Sequence, residues 1–171
     1  MSRSYRYVGA GVPYRAAKII DQGMTDKIIE KSFKNLEILG TAWYQARNLN
    51  NAVEVLESAA KKADNGNLNA RLAGIYLDLG RDKEAYKAAK KADKKGGVKR
   101  PDSNFLVMGN ALINLNCFDD AISAFNKSLK KAKDKKAKKY PRQWIKYAET
   151  EGNRLQRLRD VGLKIRGCGK V

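Results

Sequence analysis

The apolar residues of segment 67–92 follow the spacing of two helices joined by a turn. Leu72, Ala73 and Tyr76 recur at the three-to-four-residue spacing of one helical face. Gly80 interrupts this pattern. Beyond it the pattern resumes at four small residues, Ala85, Ala88, Ala89 and Ala92. The segment is therefore predicted to form a helical hairpin.

Two further copies of this hairpin pattern are visible in the chain. A shift of 33 residues towards the N-terminus places Trp43 on Tyr76, and a shift of 36 towards the C-terminus places Leu112 there. The first small residue of the second helix recurs as Ala52, Ala85 and Ala121. Such a period is typical of stacked helical repeats, because each hairpin buries its apolar face only against a neighbour.

These copies resemble the tetratricopeptide repeat, in which a bulky residue, a Leu-Gly or Leu-Ala pair and an aromatic residue precede Ala, a bulky residue and Ala on the next helix. The second copy has Asn69 where the others have Leu36 and Phe105. The resemblance covers residues 33–131. It implies an all-α fold, a right-handed α-α superhelix (TPR solenoid) with about three full helical hairpins, a leading half repeat and a C-terminal capping helix.

The predicted organisation has six segments. They are a partial first repeat and connector at 1–32, three repeats at 33–65, 66–101 and 102–134, a basic linker and capping helix at 135–160, and a flexible tail at 161–171. Tyr7 is expected on a first helix that breaks at Gly11, and Pro13 is expected to begin the next helix. Pro141 is expected to open the capping helix, with Trp144 covering the third hairpin.

The composition argues against common catalytic and metal-binding chemistry. The chain has no histidine, and no Ser, Cys or carboxylate pair is tied to a base, so we predict no enzymatic activity and no cofactor. Cys117 and Cys168 are predicted to be free thiols in preference to a disulfide or metal pair, because no second Cys lies at ligand spacing. The sequence has no apolar run of 18 residues.

The charge balance brings anionic partners into consideration. Lys and Arg number 36 against 18 Asp and Glu, a formal net charge of +18. The most basic stretch, residues 127–139, contains no arginine and no aromatic residue, so it predicts at most a weak, salt-sensitive attraction to nucleic acid or anionic lipid. The alternative is a solvated end of a helix, where lysines suit the negative pole of the helix dipole. The candidate lysines are Lys130, Lys131, Lys133, Lys135, Lys136, Lys138 and Lys139.

The first helix of each hairpin is expected to line the inner wall of the superhelix and to bind a peptide or partner protein. The residues predicted to face this wall are Glu37, Thr41, Tyr44, Gln45, Ala70, Arg71, Gly74, Leu77, Asp78, Leu106, Asn110, Ile113 and Asn114. Tyr44, Leu77 and Ile113 are expected to offer apolar pockets. For each residue the alternative is a solvated helix position. Thr41 and Glu37 do not match the pattern of families that grip a terminal carboxylate.

Short strings at both ends carry a narrower resemblance. Gly11–Lys18, Asn35–Glu37 and Gln143–Tyr147 are similar to the C-terminal part of periplasmic tetratricopeptide proteins associated with TonB systems. The resemblance implies a periplasmic scaffold that contacts TonB, ExbB or ExbD, and a cytoplasmic protein is the alternative. The chain shows no export signal and begins within a repeat, so a fragment of a longer precursor is expected.

An apolar edge near the N-terminus leaves the oligomeric state open. Tyr7, Ile19 and Ile20 would be exposed at an incomplete first repeat, and they predict a possible homodimer. The leading hypothesis is thus a non-catalytic scaffold, and the alternative is an electrostatic binder of nucleic acid or an anionic membrane surface.

Overall fold

The computed structural model is built from helices joined by short turns. It describes residues 3–165 and 167–169, and only the backbone of residues 3–11. Within these residues there are eight helices and no strand. The helices are α1 (Arg3–Thr25), α2 (Phe33–Gln45), α3 (Leu49–Lys62), α4 (Asn67–Asp78), α5 (Asp82–Lys95), α6 (Pro101–Asn114), α7 (Phe118–Lys131) and α8 (Lys135–Asp160). None of these described helices is both long and apolar enough to cross a membrane.

The chain divides into two compact units, and the first, Met1–Asp64, contains α1, α2 and α3. Polar side chains cap both helices of its hairpin: Ser32 accepts a hydrogen bond from the Asn35 amide at the start of α2, and Asn48 accepts one from the Asn51 amide at the start of α3. Trp43 is 2% exposed, and its ring forms a T-shaped pair with the Tyr14 ring, with the ring centroids 5.6 Å apart. This contact joins α1 to the hairpin.

Helix α1 runs from Arg3 to Thr25 without the break predicted at Gly11, and Pro13 lies inside it instead of opening a new helix. The prediction of two helical pieces here is therefore wrong. A proline inside a helix removes one hydrogen bond and crowds the carbonyl four residues earlier, and tertiary packing can offset this cost. Tyr14, Ala17 and Met24 supply such packing, since Tyr14 contacts Trp43 and the other two are buried. The Tyr7 side chain lies outside the described residues.

The second unit, Asn65–Val171, contains the α4–α5 hairpin, the α6–α7 hairpin and α8. Helix α6 packs against α5 and α7, and α8 packs against α7. Phe125, which is fully buried, lies at the centre of this core, and Trp144 of α8 stacks on its ring at 6.3 Å. Helix α8 thus covers the outer side of the α6–α7 hairpin, in the manner expected for a capping helix.

All three hairpins turn with the same backbone geometry. Arg47, Gly80 and Asn116 occupy the turns with φ of 60°, 68° and 59°. In each case the next amide donates to a carbonyl at the end of the first helix: Asn48 to Trp43, Arg81 to Tyr76 and Cys117 to Leu112, at 3.0, 2.8 and 2.8 Å. The repeat inferred from side-chain spacing therefore extends to the backbone of the turns.

Helix α8 begins six residues before Pro141, at Lys135, so the prediction that Pro141 opens it is wrong. The start is set by Asp134, whose carboxylate accepts a hydrogen bond of 2.7 Å from the Ala137 amide. Pro141 is fully buried within the helix. An effective N-cap upstream and a buried ring outweigh the lost backbone hydrogen bond and the crowding that a proline causes inside a helix.

Cys117 and Cys168 form a disulfide, so the prediction of free thiols is wrong. They are 51 residues apart in sequence, but their Cα atoms lie 4.5 Å apart. Cys117 is the N-cap residue of α7, and Cys168 lies in the tail that follows α8. The tail was expected to be flexible, but the disulfide anchors it at Cys168. Spacing could not indicate this pair, because only tertiary packing brings the tail to the start of α7.

Candidate partner-binding surface

In the first unit, the predicted binding residues lie along α2 and are all at least partly exposed. Glu37, Thr41 and Tyr44 are half-buried, and Gln45 is exposed. The Thr41 hydroxyl donates a hydrogen bond of 2.6 Å to the Glu37 carbonyl within the same helix. Tyr44 and Gln45 lie one turn further along α2 and add a phenol and an amide to this set.

In the second unit, α4 and α6 each present one partly exposed side. On α4, Ala70, Arg71, Gly74 and Leu77 are half-buried and Asp78 is exposed. A side chain at Gly74 would meet no atom within 4 Å of its Cβ, so there is open space above this position. On α6 the members at equivalent positions are Leu106, Asn110 and Asn114. We call these eight residues the α4–α6 face.

Ile113 does not belong to this face. It is 8% exposed and forms part of the core around Phe125, so the prediction that it offers an apolar pocket to a partner is wrong. The helical spacing places Ile113 at the border between the two sides of α6, and packing against α7 decides its side. Asn114 is exposed, and its Nδ2 donates to an Asp82 carboxylate oxygen at 2.8 Å, which ties the end of α6 to the start of α5.

On the α6 part of this face, Asn110 has incomplete hydrogen bonding. It is half-buried, and its Oδ1 is buried without a hydrogen-bond partner. Leaving such an acceptor unpaired costs about 1–3 kcal/mol. Asn110 lies 36 residues after Gly74, at the equivalent position of the neighbouring first helix. The face therefore combines open space on α4 with an unpaired amide oxygen on α6.

The shifted pKa values have structural causes. Hydrogen bonds of 3.2 and 3.0 Å from the Arg100 guanidinium hold the pKa of the Asp102 carboxyl below its usual value. A hydrogen bond from Arg81 likewise lowers the pKa of Glu84. Both carboxylates lie in the first turn of a helix, where negative charge is also favoured by the dipole. These pairs stabilise helix starts and do not mark an acid–base site.

Within the described residues, one group could offer three metal-ligating side chains: Cys117, Asp120 and Cys168. Both of its sulfur atoms are in the disulfide and so present no thiolate to an ion.

The lysine-rich stretch is divided between two helices. Lys130 and Lys131 end α7, Lys133 lies in the connection, and four lysines fall in the first turns of α8: Lys135, Lys136, Lys138 and Lys139. All are exposed except Lys138, which is half-buried. The expectation that this run sits at the negative pole of a helix thus holds for α7 and is wrong for α8, whose positive N-terminal pole faces Lys135 and Lys136.

Sequence reasoning missed a cavity beside the connection from α5 to α6. Residues of α4, α6 and the connection line it, including Val98 and Lys99. The spacing of apolar residues gave no sign that this connection folds back on the start of α4.

The fold is that of known tetratricopeptide-repeat structures. The chain matches the Arabidopsis OM64 TPR domain with a TM-score of 0.59 and 22% identity, over 69% of this chain and 94% of that one. It matches MamA AMB-1 with a TM-score of 0.66 and 20% identity, over 90% of each chain. A further MamA crystal structure gives 0.63 and 14%, over 92% of this chain and 98% of that one.

These similarities confirm the predicted fold class, an all-α solenoid of tetratricopeptide hairpins. The sequence matches no protein-family model. It also matches no curated protein. The identities to the solved structures are low, so they establish the fold alone, and the resemblance to TonB-associated proteins stays a prediction.

Proposed function

We propose that this protein is a non-catalytic scaffold that binds a segment of a partner protein on the α4–α6 face. The observation that carries the proposal is the pairing of Gly74, with open space above it, and Asn110, with a buried and unpaired Oδ1, at equivalent positions of adjacent helices. An extended partner segment has backbone N–H groups. If the Asn110 side chain reorients, its Oδ1 can accept a hydrogen bond from one of them. Leu77 and Leu106, both half-buried, add apolar contact area.

The exposed sides of α2 in the first unit supply a second set of contacts in this proposal. Tyr44 offers a ring and a hydroxyl, and Gln45 offers an amide. The hydroxyl and the amide can each donate or accept a hydrogen bond with a peptide backbone. Each unit is proposed to contact the partner through its own first helices.

We further propose that the partner belongs to a TonB-type energy-transduction system and that the protein works in the periplasm. The support is the resemblance of Gly11–Lys18 and Gln143–Tyr147 to TonB-associated tetratricopeptide proteins. The Cys117–Cys168 disulfide is consistent with this compartment, because disulfides persist in oxidising environments such as the bacterial periplasm.

The experiment blocks the face without disturbing the fold. Gly74→Gln places a polar side chain in open space and replaces glycine by a better helix former, so the helix is expected to remain intact. Ser123→Gln, at an exposed position of α7, is the matched control. Chemical crosslinking in cells, with captured proteins identified by mass spectrometry, should show TonB, ExbB or ExbD captured by the wild type and by Ser123→Gln but not by Gly74→Gln.

Two results would overturn parts of the proposal. Equal capture by Gly74→Gln and Ser123→Gln would remove the α4–α6 face as the binding surface. Capture of partners that never include TonB, ExbB or ExbD would remove the assignment to that system.

The electrostatic alternative, through Lys130–Lys139, and the homodimer through the N-terminal edge stay predictions. Ile19 is 71% exposed and Ile20 is half-buried, while the Tyr7 side chain lies outside the described residues. Sedimentation of the wild type and of Ile19→Gln tests the dimer.

A further inference from the structure

The connection from α5 to α6 is held against the start of α4 by three hydrogen bonds. The Gly66 amide donates to the Gly96 carbonyl at 2.8 Å. Asn67 Nδ2 donates to the Gly97 carbonyl at 3.2 Å, and Asn67 Oδ1 accepts from the Lys99 amide at 2.8 Å. The side-chain amide of Asn67 therefore holds the loop through both its nitrogen and its oxygen. The loop is fixed in place and forms a wall beside α4.

This wall closes one side of a cavity of about 240 Å³ between α4 and α6. Its apolar surface comes from Ala70, Val98 and Val107. That volume lies below the roughly 300–1,000 Å³ of small-molecule sites, so it suits one or two side chains of a partner more than a cofactor.

The rim of the cavity is positively charged. Arg71, Lys99 and Arg100 line it, and no acidic residue does. Asp102 lies outside the lining and neutralises part of Arg100 through their ion pair of 3.0 Å. Lys99 is exposed, so its ammonium group remains accessible to a partner. A carboxylate is the group that complements this rim.

Asn104 adds a polar group to the same cavity. It is 3% exposed, its Nδ2 donates to the Ala89 carbonyl at 3.0 Å, and its Oδ1 has no hydrogen-bond partner. The Asn104 side chain is held in place by its Nδ2, and its Oδ1 is able to accept a hydrogen bond from a donor such as a backbone N–H group of a partner.

We propose that this cavity binds an aliphatic side chain of the partner segment and that the rim binds the carboxylate of an acidic residue next to it in the segment. The proposal rests on the proposed function, since the cavity adjoins the α4–α6 face through Ala70 and Arg71. The expected partner sequence is therefore an aliphatic residue followed by an acidic one within a chain. The cavity selects the aliphatic side chain by its shape, and the rim selects the acidic side chain by its charge.

The test is a titration of the full-length ¹⁵N-labelled protein with the blocked peptide acetyl-Gly-Gly-Leu-Glu-Gly-Gly-amide, followed by amide chemical shifts. Two comparison peptides replace Glu by Gln or Leu by Gly. The Leu-Glu peptide should shift the amides of Val98, Lys99 and Val107, and each comparison peptide should bind more weakly. Raising the salt from 50 to 300 mM should weaken the Leu-Glu peptide and leave the Leu-Gln peptide nearly unchanged.

Charge reversal tests the rim directly. Lys99→Glu should weaken the Leu-Glu peptide about fivefold, because one attraction becomes a repulsion at a partly solvated site. Lys83→Glu, at an exposed position of α5, changes the net charge equally and should have little effect.

Equal shifts with the Leu-Gln peptide, or equal effects of Lys99→Glu and Lys83→Glu, would overturn the proposal. Stronger binding of the same peptide with a free C-terminal carboxylate would overturn it in favour of recognition of a chain end. The two proposals fail separately. If Gly74→Gln abolishes partner capture while the peptide leaves Val98 and Lys99 unshifted, the scaffold function stands and the cavity assignment falls.

Discussion

The second and third hairpins share a backbone turn but fill the space between their helices in opposite ways. In the α6–α7 hairpin, Gly109 lies so close to the Phe125 ring that a Cβ at this position would overlap it. The equivalent positions of the α4–α5 hairpin, 36 residues earlier, hold Ala73 and Ala89, and both are fully buried. One hairpin pairs the smallest residue with a large ring, and the other uses two small residues.

This difference indicates that the two residues facing each other where the helices of a hairpin cross together fill a limited space. Interiors are packed closely, so a large side chain on one helix requires space on the other. Phe125 also stacks on Trp144 of α8, whereas the Ala89 carbonyl of the second hairpin accepts a hydrogen bond from the Asn104 amide of α6. The third hairpin is thus adapted to receive the capping helix and the second to receive another hairpin.

The largest expected effect comes from Phe125→Ala, which empties the centre of the third hairpin. We expect a loss of about 3–5 kcal/mol in the free energy of unfolding, as for other buried aromatic truncations. The matched change in the second hairpin, Ala89→Gly, should cost only about 1 kcal/mol, mainly through helix propensity. Urea unfolding measures both. Similar losses would contradict the unequal division of volume.

Cys168→Ser removes a constraint that the third hairpin has and the second lacks. Cys117 is the N-cap residue of α7, and the N-cap residue at the equivalent position of the second hairpin is Arg81. Opening a loop of 51 residues is expected to lower the free energy of unfolding by about 2–4 kcal/mol. Unfolding with and without a dithiol reductant checks this. The reductant should destabilise the wild type and leave Cys168→Ser unchanged, and an effect on the variant would mean that the disulfide is not the cause.

Gly109→Ala tests the close approach of α6 to Phe125. The added methyl group should cost about 1–3 kcal/mol, although alanine is the better helix former. In the double variant Gly109→Ala with Phe125→Leu, the smaller partner should make the alanine less costly. Ala73→Gly in the second hairpin is the reciprocal change and should cost about 1 kcal/mol. If Gly109→Ala raised the midpoint of urea unfolding, the overlap would not constrain the fold.

The ion pairs at the helix starts should stabilise the two hairpins by different amounts, and this difference should be smaller than those above and should depend on pH. The pKa of Asp102 is lowered by Arg100, so its contribution to stability is present above the unfolded pKa near 3.8 and is lost as the pH falls through the lower folded value. The Asp102 side chain is 12% exposed and that of Glu84 in the second hairpin is 44% exposed. Asp102→Asn should therefore destabilise more than Glu84→Gln at pH 7, by up to about 1 kcal/mol.

Unfolding measured from pH 7 to pH 2 checks this prediction. The difference between wild type and Asp102→Asn should be constant down to about pH 5 and should shrink below pH 4 as Asp102 is protonated. A difference that grew as the pH fell would contradict the assignment, since it would require a raised pKa.

The start of α8 offers the smallest effect. The first turn of α5 contains Asp82 and Glu84, and that of α7 contains Asp119 and Asp120. The first turn of α8 instead contains Lys135 and Lys136. Lys135→Glu should stabilise by about 0.3–1 kcal/mol through the helix dipole, and the gain should diminish in 1 M salt. Lys131→Glu, in the last turn of α7, is the control and should destabilise slightly.

Particular residues mark how far sequence reasoning extended. The spacing of Leu72, Ala73 and Tyr76 predicted the buried side of α4, and all three are buried. The same spacing failed at Ile113, because a position between two sides of a helix is assigned by the neighbour that packs on it. The preference of proline for helix starts was a wrong guide at Pro13 and Pro141, where packing and an upstream cap outweigh the local helix-breaking tendency.

The candidate site was predictable in part. The positions of Gly74 and Asn110 follow from the repeat, but the open space above one and the unpaired oxygen of the other depend on neighbouring helices. The cavity walled by Val98 and Lys99 depends on Asn67, which lies 32 residues from Lys99 and holds the loop in place.

The sequence by itself determined the number and order of the helical hairpins, because a 3.6-residue period and the residues that accept a left-handed turn are local properties. Tertiary structure alone decided which distant residues meet: Cys117 with Cys168, and Asn67 with the loop before α6. Such meetings depend on how whole helices pack, and a repeating pattern of apolar residues is compatible with many sets of them.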